Sequence, residues 1–166
     1  MKYLNTICML MVLFFLWGCA EVPQNTAHHH ATKVGHKQSL LARVTVYWAN
    51  GKGSDRWTRQ HRSATGVKLH NGYCAVDSHK IPYGSQVIYP DSTVDIAADT
   101  GTDVINRKAA RKAGCTIYEK TALVIDKFFE TRKEALNWAA CHPLFIPLQI
   151  LPPANAEPPS NEGSNW

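Results

Sequence analysis

Short apolar runs rich in β-branched and aromatic residues recur along the chain at strand length, with turn residues between them. Runs over 42–48, 73–77, 86–89, 93–99, 122–129 and 145–151 predict six β-strands. Asn50-Gly51, Asn71-Gly72, Pro82-Tyr83-Gly84-Ser85 and Pro90-Asp91 supply the turn signals that separate them. Two stretches, 107–113 and 132–140, are predicted as helices. The second opens on a Thr131-x-x-Glu134 capping box and offers Ala135, Leu136, Trp138 and Ala139 as an apolar face. It must stop before His142-Pro143, because proline disfavours helical geometry in the residue before it. Six short strands with one or two small helices over 41–151 predict a mainly β fold, a compact barrel rather than a parallel α/β sheet. No internal repeat is visible.

The ends carry a different pattern. Lys2, an apolar core from Ile7 to Trp17 and then Gly18-Cys19 read as an export signal over 1–18, with Cys19 as a candidate lipidation site. That apolar core is shorter than the roughly 20 residues a spanning helix needs, which favours its removal. Residues 19–40, with His28-His29-His30, are polar and without period, and are expected to form a flexible tether. Residues 152–166, rich in Pro, Asn, Glu and Ser, are expected to be a disordered tail. This organisation implies one domain held to a membrane by a lipid anchor, in the cell envelope and facing the periplasm or exterior; a monomer is expected.

Charge and cysteine content narrow the classes. A formal net charge of +5 suits a neighbourhood of anionic lipid or wall polymer. The only basic and aromatic interleaving is Arg56-Trp57-Thr-Arg59-Gln-His61-Arg62, too little for a nucleic-acid surface, so no nucleic acid is expected as a partner. Of five cysteines, Cys8 falls in the signal and Cys19 at its end. Cys74, Cys115 and Cys141 can then form one disulfide, for which Cys115 with Cys141 is the preferred pair. No cysteine spacing fits a zinc motif, and neither a P-loop nor a dinucleotide fingerprint is present, so no metal or cofactor is expected.

Three aspartates draw the chemistry. Asp77, Asp99 and Asp126 each end or interrupt an apolar strand-like run: Tyr73-Cys-Ala-Val-Asp77, Val94-Asp-Ile-Ala-Ala-Asp99 and Ala122-Leu-Val-Ile-Asp126. A carboxylate there is costly unless paired or used. For Asp77, before Ser78-His79, an Asx-turn is the first reading. Asp99-Thr-Gly also suits a tight turn, and it stands evenly between turn and site. Asp126, among Val124, Ile125, Phe128 and Phe129, is the strongest candidate for function, and Lys127 points to the opposite face of a regular strand.

The landmarks Ser63-Ala-Thr-Gly66, Ala75-Val-Asp77 with Ile81-Pro-Tyr-Gly-Ser85, Ala98-Asp-Thr-Gly101, Val124-Ile-Asp126-Lys-Phe-Phe129 and Glu134-Ala-Leu-Asn-Trp138 cover most of 42–151. In type and order they resemble the three-aspartate domain of bacterial cell-wall enzymes, represented by membrane-bound lytic transglycosylase A. The resemblance implies a six-stranded double-psi β-barrel. It also implies cleavage of the peptidoglycan glycan between N-acetylmuramic acid and N-acetylglucosamine, leaving a 1,6-anhydro end, with Asp126 as acid/base. A second stretch, His79-Lys-Ile-Pro-Tyr-Gly-Ser85, is similar to one in the rare lipoprotein A transglycosylases, which would make His79 and Asp99 the working pair. Between Asp99 and Asp126 the chain departs from the first family: a short Gly-rich link is replaced by residues 101–106, a basic helix and Cys115.

A transglycosylase needs only one titrating carboxylate, because the sugar's own 6-hydroxyl is the nucleophile. That acid must be protonated near neutral pH, which burial or a neighbouring like charge achieves. Asp99 would tune Asp126 or hold the sugar. Thr65 is placed to hydrogen-bond a site aspartate, or else to cap a turn. Tyr47, Trp57 and Arg59 are candidates to contact glycan or peptide stem, although core packing explains Tyr47 equally well. The rival to an enzyme is a noncatalytic barrel that binds glycan strands and scaffolds wall enzymes, a reading favoured by the altered link after Gly101.

Overall fold

The computed structural model describes residues 36–51 and 54–154. The export signal, Cys19, the triple histidine and most of the tether and tail lie outside the described residues. Six strands and five short helices follow along the described residues: β1 Gln38–Trp48, α1 Arg56–Arg59, β2 Tyr73–Ala75, β3 Gln86–Ile88, β4 Val94–Asp99, α2 Thr102–Ile105, α3 Lys108–Ala113, α4 Ile117–Thr121, β5 Leu123–Phe129, α5 Arg132–Cys141 and β6 Phe145–Leu151. No helix among the described residues is long and apolar enough to cross a membrane.

The strands close into a barrel in the order β1-β5-β2-β4-β3-β6. Two neighbouring pairs are parallel, β1 with β5 and β2 with β4, and the other four are antiparallel. Exchanging β1 with β4, β2 with β5 and β3 with β6 maps β1–β5 onto β2–β4 and β1–β6 onto β3–β4, each of the same sense, and leaves β2–β5 and β3–β6 in place. This internal two-fold is the double-psi arrangement.

Strand β6 shows how the sequence makes the wall. Ile146, Leu148 and Ile150 are buried while Pro147 and Gln149 face out, the period-two alternation of a half-buried strand. Each inward side chain contributes about 2 kcal/mol through its removal from water. They meet Val44, Cys74, Val87, Ala97 and Ile125 in the barrel interior. Gly84 takes a φ of 82° so that its N–H can donate to the Ala97 carbonyl at 2.7 Å. A Cβ at that φ would be strained.

Three expectations are corrected. Strand β1 begins at Gln38, inside the expected tether, because Gln38 and Ser39 pair with Ile150 and Gln149 of β6. Both are polar and exposed, so nothing in the hydrophobic pattern announced them. The helices number five rather than one or two among the described residues, and three of them, α2 to α4, fill the long link between β4 and β5. Thr116 and Glu119 form a second capping box, which starts α4. The Cys115–Cys141 disulfide is not formed: Cys74, Cys115 and Cys141 are all free, with Cys74 buried in the core. Sequence order carries no information on whether two Cα atoms reach the 4.4–6.8 Å range that a bridge needs.

The inserted helices are fused to the barrel wall. Val104 and Ala110 are buried against Ala75, Ala122 and Val124, with Tyr47 and Phe145 at the margin. Arg107 joins α2 to α3 in a left-handed conformation, φ 50°. Its guanidinium donates to the Thr121 carbonyl at 3.0 Å, closing the link on itself.

Lys127 does point away from Asp126, into the barrel. There it meets Asp95 at 2.5 and 2.7 Å, and Tyr89 donates to the same carboxylate at 2.8 Å. The ammonium also lies 4.5 Å from the centre of the Tyr89 ring. Burial raises the Asp95 pKa even against the attraction of Lys127.

Candidate active site

On the outer face of the wall, four neighbouring strands place Thr45, Asp126, Ala75 and Asp99 in one row. Thr45 of β1 is the register partner of Asp126 on β5, and Asp126 is the partner of Ala75 on β2. Ala75 is in turn the partner of Asp99 on β4. At ordinary strand spacing the backbones of the two aspartates are about 10 Å apart, with only the alanine methyl between them.

A register shift between Cys74 and Ala75 creates this row. Cys74 opposes Ala97, yet Ala75 opposes Asp99 rather than Ala98. Simple alternation from the interior residues Asp95 and Ala97 would send Asp99 inward; the bulge turns it to the face shared with Ala75.

Each carboxylate has its own partners. Thr45 Oγ1 donates to Asp126 Oδ1 at 2.8 Å. Asp99 accepts from the Tyr47 hydroxyl at 2.9 Å on Oδ2 and from the Ala64 N–H at 2.8 Å on Oδ1. Tyr47 rests its ring edge-on against Phe128 with centroids 5.2 Å apart, which fixes the hydroxyl. Burial and the adjoining Asp99 charge push the Tyr47 pKa up, so the hydroxyl remains a donor.

Asp126 is half-buried and opens onto a cleft of about 780 Å³. Its pKa is pushed up to about 6, first by burial, with the charges of Asp99 and Asp103 adding to it. The Thr45 hydrogen bond and the Arg43 charge oppose that rise. The result is a carboxyl group that exchanges its proton near neutral pH at the base of an accessible cleft.

The far side of the cleft is polar. The turn after β1 contributes Asn50 and Ser54, the start of α1 contributes Asp55 and Thr58, and Thr100 to Asp103 lead into α2. Asp55 accepts the Thr58 N–H at 2.7 Å as the N-cap of α1. Asp103 pairs with Lys108 at 3.0 Å.

Of the residues singled out from sequence, Asp99, Asp126 and Tyr47 come together in this cleft. The others are placed elsewhere. Asp77 forms a turn, its Oδ1 accepting from the His79 N–H at 3.1 Å and lying 3.2 Å from His79 Nδ1. His79 is exposed, partners Asp77 rather than Asp99, and neither it nor Asp77 lines the cleft. Thr65 does not touch a carboxylate: its hydroxyl donates to the Ala98 carbonyl at 2.9 Å and meets Ser63 Oγ. It is the preceding N–H, of Ala64, that holds Asp99. Trp57 is exposed and Arg59 donates to the Ser54 carbonyl; both sit on α1 beside the cleft without lining it.

Sequence reasoning missed Thr45, Asp103 and Arg132. Thr45 carries a weak signal, since it shares a strand face with Tyr47, but only the β1–β5 register shows that Asp126 is opposite. No cluster of three or more metal-ligating side chains occurs among the described residues. No family model matches the chain, and no curated protein matches it.

Proposed function

We propose that the protein is a peptidoglycan lytic transglycosylase of the cell envelope, held to the membrane through a lipid on Cys19, with Asp126 as acid/base. The observation that carries this reading is the half-buried Asp126 at the base of the cleft, with its pKa pushed up to about 6 and Asp99 one strand beyond Ala75. The order of landmarks around the three aspartates supports it independently.

In this reading protonated Asp126 gives its proton to the glycosidic oxygen as the bond from muramic acid C1 breaks. The C6 hydroxyl of the same sugar attacks C1, and the Asp126 carboxylate then takes the hydroxyl proton. Asp126 returns to its starting state, and no water is consumed. Asp99, fixed by Tyr47 and the Ala64 N–H, keeps the site acidic and is available to hold sugar hydroxyls.

A second reading, a noncatalytic barrel that binds glycan strands, is favoured by one feature: helices α2 to α4 occupy the link that borders the cleft, where the family has a short loop. Incubating the full-length protein in detergent with purified sacculi separates the two. Soluble fragments with 1,6-anhydromuramoyl ends support transglycosylation. Fragments with reducing ends overturn it in favour of hydrolysis, and co-sedimentation without fragments overturns it in favour of binding.

A further inference from the structure

Among the described residues, the cleft that holds Asp99 and Asp126 is lined by four carboxylates, Asp55, Asp99, Asp103 and Asp126, and by one cationic side chain, Arg132. Each carboxylate already has a partner within the protein. Asp55 caps α1, Asp99 takes Tyr47 and Ala64, Asp126 takes Thr45, and Asp103 pairs with Lys108.

Arg132 is left over. It is exposed, and among the described residues it enters no ion pair. The acidic group nearest in sequence along its own helix, Glu134, is committed: its Oε2 accepts from the Thr131 N–H at 3.1 Å and the Thr131 hydroxyl at 2.7 Å. The helix positions one turn on, Ala135 and Leu136, offer no charge. Arg132 also directly follows the N-cap of α5, where a cation opposes the helix dipole by a few tenths of a kcal/mol. No ion pair among the described residues offsets that cost.

The capping box fixes the backbone at the start of α5, so the guanidinium projects from a rigid base. Such a fork matches a carboxylate with two parallel hydrogen bonds, a geometry that lysine lacks. A ligand carboxylate would be repelled from the Asp99–Asp126 row and drawn to Arg132.

We infer that Arg132 is a binding residue for a carboxylate on the glycan ligand, and that it sets the direction in which the strand lies in the cleft. The inference rests on the glycan-binding part of the proposed function and adds the ligand's charge. In a wall glycan that carboxylate has two sources, the free lactyl group of a muramic acid without peptide and the carboxylates of an attached stem. Neutral N-acetylglucosamine carries neither.

The test uses the full-length protein in detergent, with Asp126→Asn as background to prevent turnover, and measures Kd by calorimetry for three probes. These are a chitooligosaccharide, a denuded glycan and a peptide-bearing glycan of matched length. Arg132→Gln is expected to weaken binding of a carboxylate-bearing glycan by about tenfold, the effect of losing one charge-assisted pair. Chitooligosaccharide affinity is expected to stay unchanged, and Arg132→Lys to recover only part of the loss. An effect on the denuded strand assigns the lactyl carboxylate; an effect confined to the peptide-bearing strand assigns the stem. Equal losses on all three probes, no loss on any, or no measurable binding of either carboxylate-bearing glycan would overturn the inference. The product assay on the unsubstituted protein is separate: absence of anhydromuramoyl ends with Arg132-dependent binding retained refutes transglycosylation and leaves this inference standing.

Discussion

Thr45 donates its hydroxyl to Asp126 across the β1–β5 pair at 2.8 Å, and this bond favours the ionised carboxylate against the burial that favours the acid. Two opposing effects thus set where Asp126 gives up its proton. Catalysis by proton donation requires the protonated form, so activity should fall as pH rises through about 6. The substitution Thr45→Val removes the donor while keeping the β-branched shape. It should move that alkaline limb upward by about half a unit to one unit, the size of one hydrogen-bond contribution. A pH profile of kcat/KM on soluble glycan checks this; an unmoved limb would show that Thr45 does not tune the acid.

The same Asp126 makes the fold less stable above its titration. Its folded pKa is raised to about 6 from an ordinary value of 3.8, so between those values the folded protein binds more protons than the unfolded chain. Stability from this group is therefore full below about pH 4 and is lost as pH rises to about 6. Asp126→Asn removes that loss. The variant should be more stable than the parent at pH 7 by about 3 kcal/mol and show little difference at pH 4, as read from thermal unfolding at the two values.

Lys127 and Asp95 form the opposite kind of group, a pair sealed inside the barrel. Lys127→Met strands the Asp95 carboxylate and should cost about 3–5 kcal/mol in urea denaturation. Adding Asp95→Leu should recover most of that, because a buried ion pair contributes little net stability over apolar side chains of similar volume. A double variant as unstable as the single one would mean the pair is needed for the barrel to close.

Much of the barrel can be read from the chain because a half-buried strand writes its burial as alternation. Ile146, Leu148 and Ile150 on β6 are the clearest case. Helix α5 was equally plain, since Thr131 and Glu134 are a local signal. The site was legible only in part. Asp126 stands out by its apolar surroundings, but Asp99 faces it through a one-residue bulge at Cys74–Ala75, and simple alternation predicts the wrong face. Asp95 carries no local signal of its use, which depends on Lys127, distant in sequence and opposite in the barrel interior. Gln38 and Ser39 join β1 through backbone pairing with β6, a bond their side chains do not advertise. Register and non-local pairing belong to the closed sheet, and the sequence of one strand does not hold them.

In the proposed mechanism Asp126 donates and recovers a proton during glycan cleavage. Asp126→Asn keeps the shape and the Thr45 contact within reach but removes the titrating group. Mass spectrometry of muropeptides released from sacculi by the full-length protein and by this variant measures the claim directly. The parent is expected to release 1,6-anhydromuramoyl products and the variant at least a hundredfold fewer, the usual scale of general acid–base catalysis. Equal release by the two proteins would contradict it.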